Sequence, residues 1–103
     1  MTYITEQPSP DEVRAMAGPV VLEFGTDWCG ICRAAQADIR EGLGDSSVQH
    51  LQVEDGPGRK LGRSFRVKLW PTLIFLQDGV ERCRVVRPTS PLQVASALAE
   101  LVG

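Results

Sequence analysis

Residues 20–32 read Val-Val-Leu-Glu-Phe-Gly-Thr-Asp-Trp-Cys-Gly-Ile-Cys, and this stretch carries most of what the sequence says about architecture. Residues 20–24 are short, apolar and rich in β-branched side chains, which is typical of a buried strand. A helix that ends near residues 42–44 is predicted by apolar residues that recur every four positions, namely Ile31, Ala35, Ile39 and Leu43. We therefore expect Cys29 and Cys32 at a junction between a strand and a helix.

The two cysteines at this junction have the spacing Cys-x-x-Cys. A thiol at a helix N-terminus faces unpaired backbone N–H groups and the positive end of the helix dipole, and both favour the thiolate. We interpret Cys29 as the nucleophile that attacks a substrate disulfide and Cys32 as the thiol that resolves the mixed disulfide. Half of a zinc site is the alternative, but it needs two more ligands and only Cys83 and His50 remain. We expect no metal.

The rest of the chain predicts further strands and helices. Residues 9–12 and 90–93 have the pattern of a capping box with proline at the first helical position. They predict one helix that ends near Ala17 and another that runs to the C-terminus. Asp78-Gly79 lies between two strand-like runs and predicts a hairpin. Further predictions are strands at 48–53, 73–76 and 80–86, a short helix at 59–66, and an edge strand at 1–4.

This order of elements predicts an α/β fold. Its central mixed sheet combines parallel strands with a C-terminal antiparallel hairpin, and helices flank both faces. A chain of 103 residues fits one domain, so we treat 1–103 as a single domain. Its apolar stretches have the length of strands and are much shorter than the roughly 20 residues of a membrane span.

The net charge and the first residues of the chain indicate which partners and which cellular location to expect. Eleven basic and thirteen acidic residues give a net charge of -2, which argues against nucleic acid or an anionic membrane as the main partner. The first six residues have neither the basic region nor the apolar run of a signal peptide, so we expect a cytoplasmic protein.

Three motifs together resemble the thioredoxin family. Residues 28–32, Trp-Cys-Gly-Ile-Cys, are similar to its Trp-Cys-Gly-Pro-Cys signature, residues 70–72 resemble its cis-proline segment, and Asp78-Gly79 matches its hairpin turn. The resemblance covers nearly the whole chain and implies the thioredoxin fold. It also implies that Pro71 is cis and lies beside the cysteine pair. The substrate-docking surface that it implies consists of Trp28, Gly30, Ile31, Trp70 and Pro71.

The resemblance also implies that Glu23 is a buried acid that accepts the proton of Cys32 through water; the alternative is a strand-end Glu that reaches solvent. Because a buried carboxylate is costly, we expect Glu23→Gln to raise stability. We interpret His50, the only histidine, as an ordinary surface residue, with a partnership with Glu23 as the alternative. Cys83 should pack as a small hydrophobe, with a regulatory thiol as the alternative.

The chain departs from the family pattern near the cysteines and the docking surface. Ile31 replaces the central proline, which implies a more oxidising disulfide. Trp70 replaces a small aliphatic residue and should narrow the docking groove. The basic residues within 59–68 are typical of a solvated helical face, and a docking site for an acidic partner is the alternative.

We therefore interpret the chain as a thioredoxin-like protein-disulfide oxidoreductase that holds no cofactor. The resemblance implies client protein disulfides and an NADPH-dependent thioredoxin reductase as partners, and we expect a monomer. The alternative is a binding or assembly module with the same fold, which would hold one client through the surface formed by Trp28 and Trp70. Redox activity would then be secondary.

Overall fold

A computed structural model describes residues 3–102 as one mixed sheet with helices on both faces. The described elements, in chain order, are α1 (Pro10–Arg14), β1 (Pro19–Gly25), α2 (Gly30–Leu43), β2 (Gln49–Glu54), α3 (Lys60–Ser64), β3 (Thr72–Gln77), β4 (Val80–Val86) and α4 (Pro91–Val102). The strands lie in the order β2-β1-β3-β4. β1 and β2 are parallel, whereas the β1–β3 and β3–β4 pairs are antiparallel. The predicted mixed sheet with its C-terminal hairpin is confirmed.

The central strand β1 is buried on both faces. Alternate side chains of a strand point to opposite faces, and Val20, Leu22 and Phe24 belong to the core cluster that includes residues of α1 and α3. Val21 belongs to the second cluster, which α2 and α4 cover. Glu23 follows Val21 by two positions and therefore faces α2, the helix that begins directly after Cys29 and contains Cys32.

The hairpin between β3 and β4 turns on two residues with positive φ, Asp78 at 52° and Gly79 at 77°. This is the geometry of a type I′ turn, which the Asp-Gly pair predicts. The Asp78 carboxylate also accepts the Gly18 N–H at 2.8 Å, and the Asp78 N–H donates to the Gly18 carbonyl at 3.1 Å. These bonds tie the residues after α1 to the hairpin. The prediction that α1 continues to Ala17 is therefore wrong, and α1 ends at Arg14.

The N-terminal segment lies beside β2. Part of the predicted edge strand, residues 1 and 2, lies outside the described residues. Ile4 forms a single parallel bridge with Val53, through its N–H to the Gln52 carbonyl and its carbonyl to the Glu54 N–H, both at 2.9 Å. This short contact places the side chain of Tyr3 inside the protein, where it is 3% exposed.

Candidate active site

The two cysteines of the Cys-x-x-Cys pair differ in their access to solvent. Cys29 is the N-cap of α2, and its sulfur accepts the backbone N–H of Cys32 at 3.2 Å. It is half-buried, whereas Cys32 is completely buried in the first turn of the helix. Both thiols are free. A substrate sulfur can therefore approach Cys29 but not Cys32.

The protonation of Cys32 follows from its surroundings. The pKa of the Cys32 thiol is raised to about 12, first by burial and then by the neighbouring Cys29 sulfur, which acts through a hydrogen bond and its charge. A backbone hydrogen bond of Thr26 and the side chain of Tyr3 act in the opposite direction. In the dithiol state Cys32 therefore carries its proton at neutral pH.

Glu23 lies completely buried on β1, and four side chains meet its carboxylate. Tyr3 Oη and Gln36 Nε2 both donate to Oε2, the latter at 2.8 Å. His50 Nε2 lies 2.8 Å from Oε1, and Gln52 Nε2 lies 3.4 Å from both oxygens. Burial alone would raise the pKa of Glu23, but the hydrogen bonds from His50, Tyr3 and Gln36 outweigh it, so the pKa lies below its ordinary value. Glu23 is therefore ionised at neutral pH.

An aromatic pair lies at the same end of the sheet as the cysteines. The rings of Trp28 and Trp70 meet edge to face, with centroids 5.7 Å apart and planes at 79°. Trp70 Nε1 donates to an Asp55 carboxylate oxygen at 2.9 Å, and the Trp70–Pro71 peptide bond is cis. Each tryptophan precedes a residue predicted to act in exchange, Cys29 or Pro71, so the ring contact brings these two segments together.

The docking surface predicted from the sequence is open around Cys29. Trp28 is 71% exposed and Ile31 is 47% exposed. Gly30 faces open space, since a Cβ added there would meet nothing within 4 Å. Across the described residues 3–102, no group of three or more His, Cys, Asp or Glu residues could hold a metal ion. No helix within the same residues is long and apolar enough to cross a membrane.

Comparison with known proteins gives the family. The family model described as Thioredoxin matches residues 2–100. The chain belongs to the thioredoxin family. Together, this match and the fold identify a protein-disulfide oxidoreductase.

Similar proteins agree with the family match. The structure of reduced thioredoxin 2 from Pseudomonas aeruginosa PAO1 is 56% identical and has a TM-score of 0.90; the match covers all of this chain and 96% of that one. A thioredoxin of Mycobacterium tuberculosis is 27% identical over 103 residues, covering 96% of this chain and 87% of its own. A thioredoxin of Aspergillus fumigatus is 34% identical over 65 residues, which are 61% of this chain and 59% of the fungal protein.

Several thioredoxin-based predictions can be compared with the structure. The cis conformation of Pro71 and the burial of Glu23 are confirmed. The interpretation of His50 as an ordinary surface residue is wrong, because β2 places its ring against Glu23. Cys83 packs against the core cluster beneath α4, as predicted. Burial, followed by the nearby Glu100 carboxylate, raises the pKa of Cys83 to about 11.

Sequence reasoning missed three residues of the Glu23 network: Tyr3, Gln36 and Gln52. Two of them leave a signal in the pattern. Gln36 follows Cys32 by four residues and is a polar residue on the apolar face of α2, and Gln52 is two residues from His50 on β2. Tyr3 leaves no such signal, because its approach depends on the bridge between Ile4 and Val53.

Proposed function

We propose that this member of the thioredoxin family reduces disulfides of client proteins through Cys29 and Cys32. One observation carries the proposal: a half-buried sulfur at the N-terminus of α2 accepts an N–H from the residue that holds the second, buried thiol. Donation of an N–H stabilises negative charge on the Cys29 sulfur. The buried partner is protected from the client and reacts only with Cys29.

The reaction proceeds in two exchanges. The Cys29 thiolate attacks one client sulfur, which forms a mixed disulfide and releases the other client sulfur as a thiolate. Cys32 then loses its proton, and its sulfur attacks Cys29. The mixed disulfide breaks, the second client thiolate leaves, and a disulfide between Cys29 and Cys32 remains. Two electrons pass from the protein to the client, and a reductase returns them.

Formation of the mixed disulfide itself prepares Cys32 for the second step. After burial, the Cys29 sulfur is the main factor that raises the pKa of Cys32, through a hydrogen bond and its charge. Once Cys29 is bonded to the client, it carries no thiolate charge. The pKa of Cys32 then falls, so this thiol loses its proton more easily at the step in which its thiolate must attack Cys29.

The other site residues have supporting roles in this proposal. Glu23, ionised and buried on the same side of the sheet as Cys32, accepts the proton. Trp28, Gly30, Ile31, Trp70 and Pro71 form the docking surface for the client. Recharging would come from an NADPH-dependent thioredoxin reductase, and a cytoplasmic location would suit a disulfide reductant.

Trapping of the mixed disulfide tests the proposal. Cys32→Ser should accumulate a covalent adduct between Cys29 and a peptide that contains a disulfide, and mass spectrometry should assign the bond to Cys29. Cys29→Ser should form no adduct and should not accelerate insulin reduction by dithiothreitol. Cys83→Ser is the matched control and should behave as the wild type. Activity that survives Cys29→Ser would contradict the proposal.

A binding or assembly module is the second candidate, and the exposed side chains of Trp28, Ile31 and Leu69 favour it. Such a module would hold a client without exchanging electrons. The double variant Cys29→Ser, Cys32→Ser separates the two functions. A binding module keeps its affinity for a reduced client peptide in this variant, whereas an oxidoreductase loses turnover and has no lasting complex.

A further inference from the structure

Tyr3 occupies the space between the resolving cysteine and the buried acid. Its hydroxyl donates to Oε2 of Glu23 and lies 3.3 Å from Gln36 Nε2, which donates to it. A phenol oxygen has one proton to give and two lone pairs. The bond from Gln36 uses one lone pair, so the second is free to accept a proton from another donor.

Gly25 brings the sulfur of Cys32 close to that oxygen. A Cβ added to Gly25 would meet Cys32 Sγ at 2.7 Å and Tyr3 Oη at 2.8 Å, so both atoms fill the space that the missing side chain leaves. The two groups are close enough to perturb each other electrostatically. Tyr3 is 3% exposed and Cys32 is completely buried, so both groups are shielded from solvent.

We propose that the Tyr3 hydroxyl transfers the proton of Cys32 to Glu23 during resolution of the mixed disulfide. The Cys32 S–H bond breaks, and its proton passes to Tyr3 Oη while the phenol proton passes to Glu23 Oε2. The electron pair left on Cys32 forms the new bond to Cys29. This inference rests on the proposed function, in which Glu23 is the proton acceptor.

The transfer must be concerted, because the site disfavours a tyrosinate. Burial and the adjacent Glu23 carboxylate both raise the pKa of Tyr3. The phenol therefore receives one proton as it gives up the other. His50 provides the route outward, since it contacts Oε1 of Glu23 at 2.8 Å and its side chain is 25% exposed. The titratable groups that face this path are Cys29, Cys32, Tyr3, Glu23 and His50.

A single-turnover experiment separates the two exchange steps. Excess reduced protein is mixed with a peptide disulfide, and tryptophan fluorescence follows formation and then resolution of the mixed disulfide. In Tyr3→Phe the first phase should keep its rate, while the second should slow by roughly 10²-fold, the lower end of what general acid–base catalysis contributes. Absence of the first phase in the wild type would overturn the proposed function. A normal second phase in Tyr3→Phe would overturn only the role of Tyr3.

The chain has one tyrosine, so uniform labelling with 3,5-difluorotyrosine changes position 3 alone. The label keeps the hydroxyl and the fold but makes the phenol more acidic. If Tyr3 transfers the proton, the pH profile of the second phase shifts and its solvent deuterium isotope effect changes. If Tyr3 acts only through its hydrogen bond to Glu23, the pH profile can shift but the solvent deuterium isotope effect stays as in the unlabelled protein. The Tyr3→Phe variant, produced in cells that receive the same amino acid, contains no label and is the control for the labelling procedure.

A different observation concerns the surface beside Trp70. Residues 59–77 contain five basic and no acidic residues, although the chain as a whole has a net charge of -2. A groove of about 580 Å³ opens here, and its lining includes Asp55, Arg59, Arg63, Arg66, Lys68 and Trp70. Within the described part of the chain, Arg63, Arg66 and Lys68 have no ion pair. The groove and the docking surface share Trp70, so they are continuous.

We infer that this groove binds an acidic segment of the client, next to the disulfide that the client presents to Cys29. Like the first inference, it rests on the proposed function. Three unpaired cations around one concave surface create a positive potential that attracts carboxylates and lowers the affinity for basic segments. Asp55 does not cancel this potential, because its single negative charge stands against these three cations.

Three peptides with one common disulfide test the groove, with acidic, neutral or basic residues beside that disulfide. The acidic peptide should have the highest kcat/KM, and its advantage should fall as salt is added. Arg63→Gln with Lys68→Gln should reduce that advantage by about two- to fivefold per cation removed. Arg40→Gln with Arg82→Gln removes two charges elsewhere and should leave it unchanged. Equal rates for all three peptides would overturn this inference, and no reduction of any peptide would overturn the proposed function.

Discussion

Replacement of Glu23 by Gln tests how the buried carboxylate contributes to stability. The two side chains have nearly the same shape, but an amide nitrogen replaces one oxygen that accepts hydrogen bonds. Tyr3 and Gln36 donate to Oε2, and Gln52 offers its amide N–H to both oxygens. His50 Nε2 lies against Oε1 and donates or accepts according to its tautomer. At the Oε2 position the amide nitrogen would face the donors of Tyr3 and Gln36. At the Oε1 position it would find an acceptor only if the His50 proton moved to Nδ1.

The size of the effect follows from these contacts. A hydrogen bond to a charged group contributes about 1.5–3 kcal/mol, and a buried donor left without an acceptor costs about 1–3 kcal/mol. The removal of one carboxylate oxygen from a fully buried site should therefore lower the free energy of unfolding by roughly 2–4 kcal/mol at pH 7. The sequence-based expectation had the opposite sign, because it counted the cost of burial without the four partners.

The pH dependence provides an independent check. The pKa of Glu23 is lower in the folded protein than its ordinary value, so the stability that it contributes is present above that ordinary value. It is lost as the pH falls through the folded pKa. The difference between wild type and Glu23→Gln should be constant above about pH 5 and should shrink in more acidic solution.

Urea denaturation at a series of pH values measures both quantities. Glu41→Gln, an exposed substitution on α2, is the control and should change the unfolding free energy by less than about 0.5 kcal/mol. If Glu23→Gln is as stable as the wild type at pH 7, or more stable, the hydrogen bonds do not outweigh the cost of burial. If the unfolding free energies of the wild type and Glu23→Gln had equal slopes against pH, the same conclusion would follow.

Three further predictions concern the cysteines and their surroundings. Brief iodoacetamide treatment at neutral pH should alkylate Cys29 much faster than Cys32 or Cys83, as mapped by mass spectrometry; equal labelling would contradict the assigned roles. Redox titration against dithiothreitol should give a reduction potential above the roughly -270 mV of thioredoxin. Ile31→Pro should lower this potential, and a change of about 30 mV corresponds to about 1.4 kcal/mol. Gly25→Ala should lower the thermal midpoint and slow disulfide exchange, because its methyl group would overlap the sulfur of Cys32; wild-type behaviour would contradict the tight packing.

Local sequence signals predict the elements well where residues close in sequence determine the conformation. The apolar run of β1, the four-residue period of α2 and the Asp78-Gly79 turn each depend on a few neighbouring residues. The positions of Cys29 and Cys32 follow directly, because the strand and the helix on either side fix them. The end of α1 could not be predicted in this way. Just after the helix, the backbone N–H and carbonyl of Gly18 form hydrogen bonds with Asp78, which lies sixty residues away in the sequence.

The same distinction between local sequence signals and long-range contacts applies to the chemistry around the cysteines. The sequence by itself determines that a Cys-x-x-Cys pair opens a helix, with an acidic residue on the preceding strand. Only the tertiary structure decides what that acid does, because Tyr3 and His50 reach Glu23 from elements that lie 20 and 27 residues away. Burial raises the pKa of a carboxyl and donated hydrogen bonds lower it. The sign of the shift therefore depends on contacts that no local pattern contains, and these contacts make Glu23 a stabilised anion.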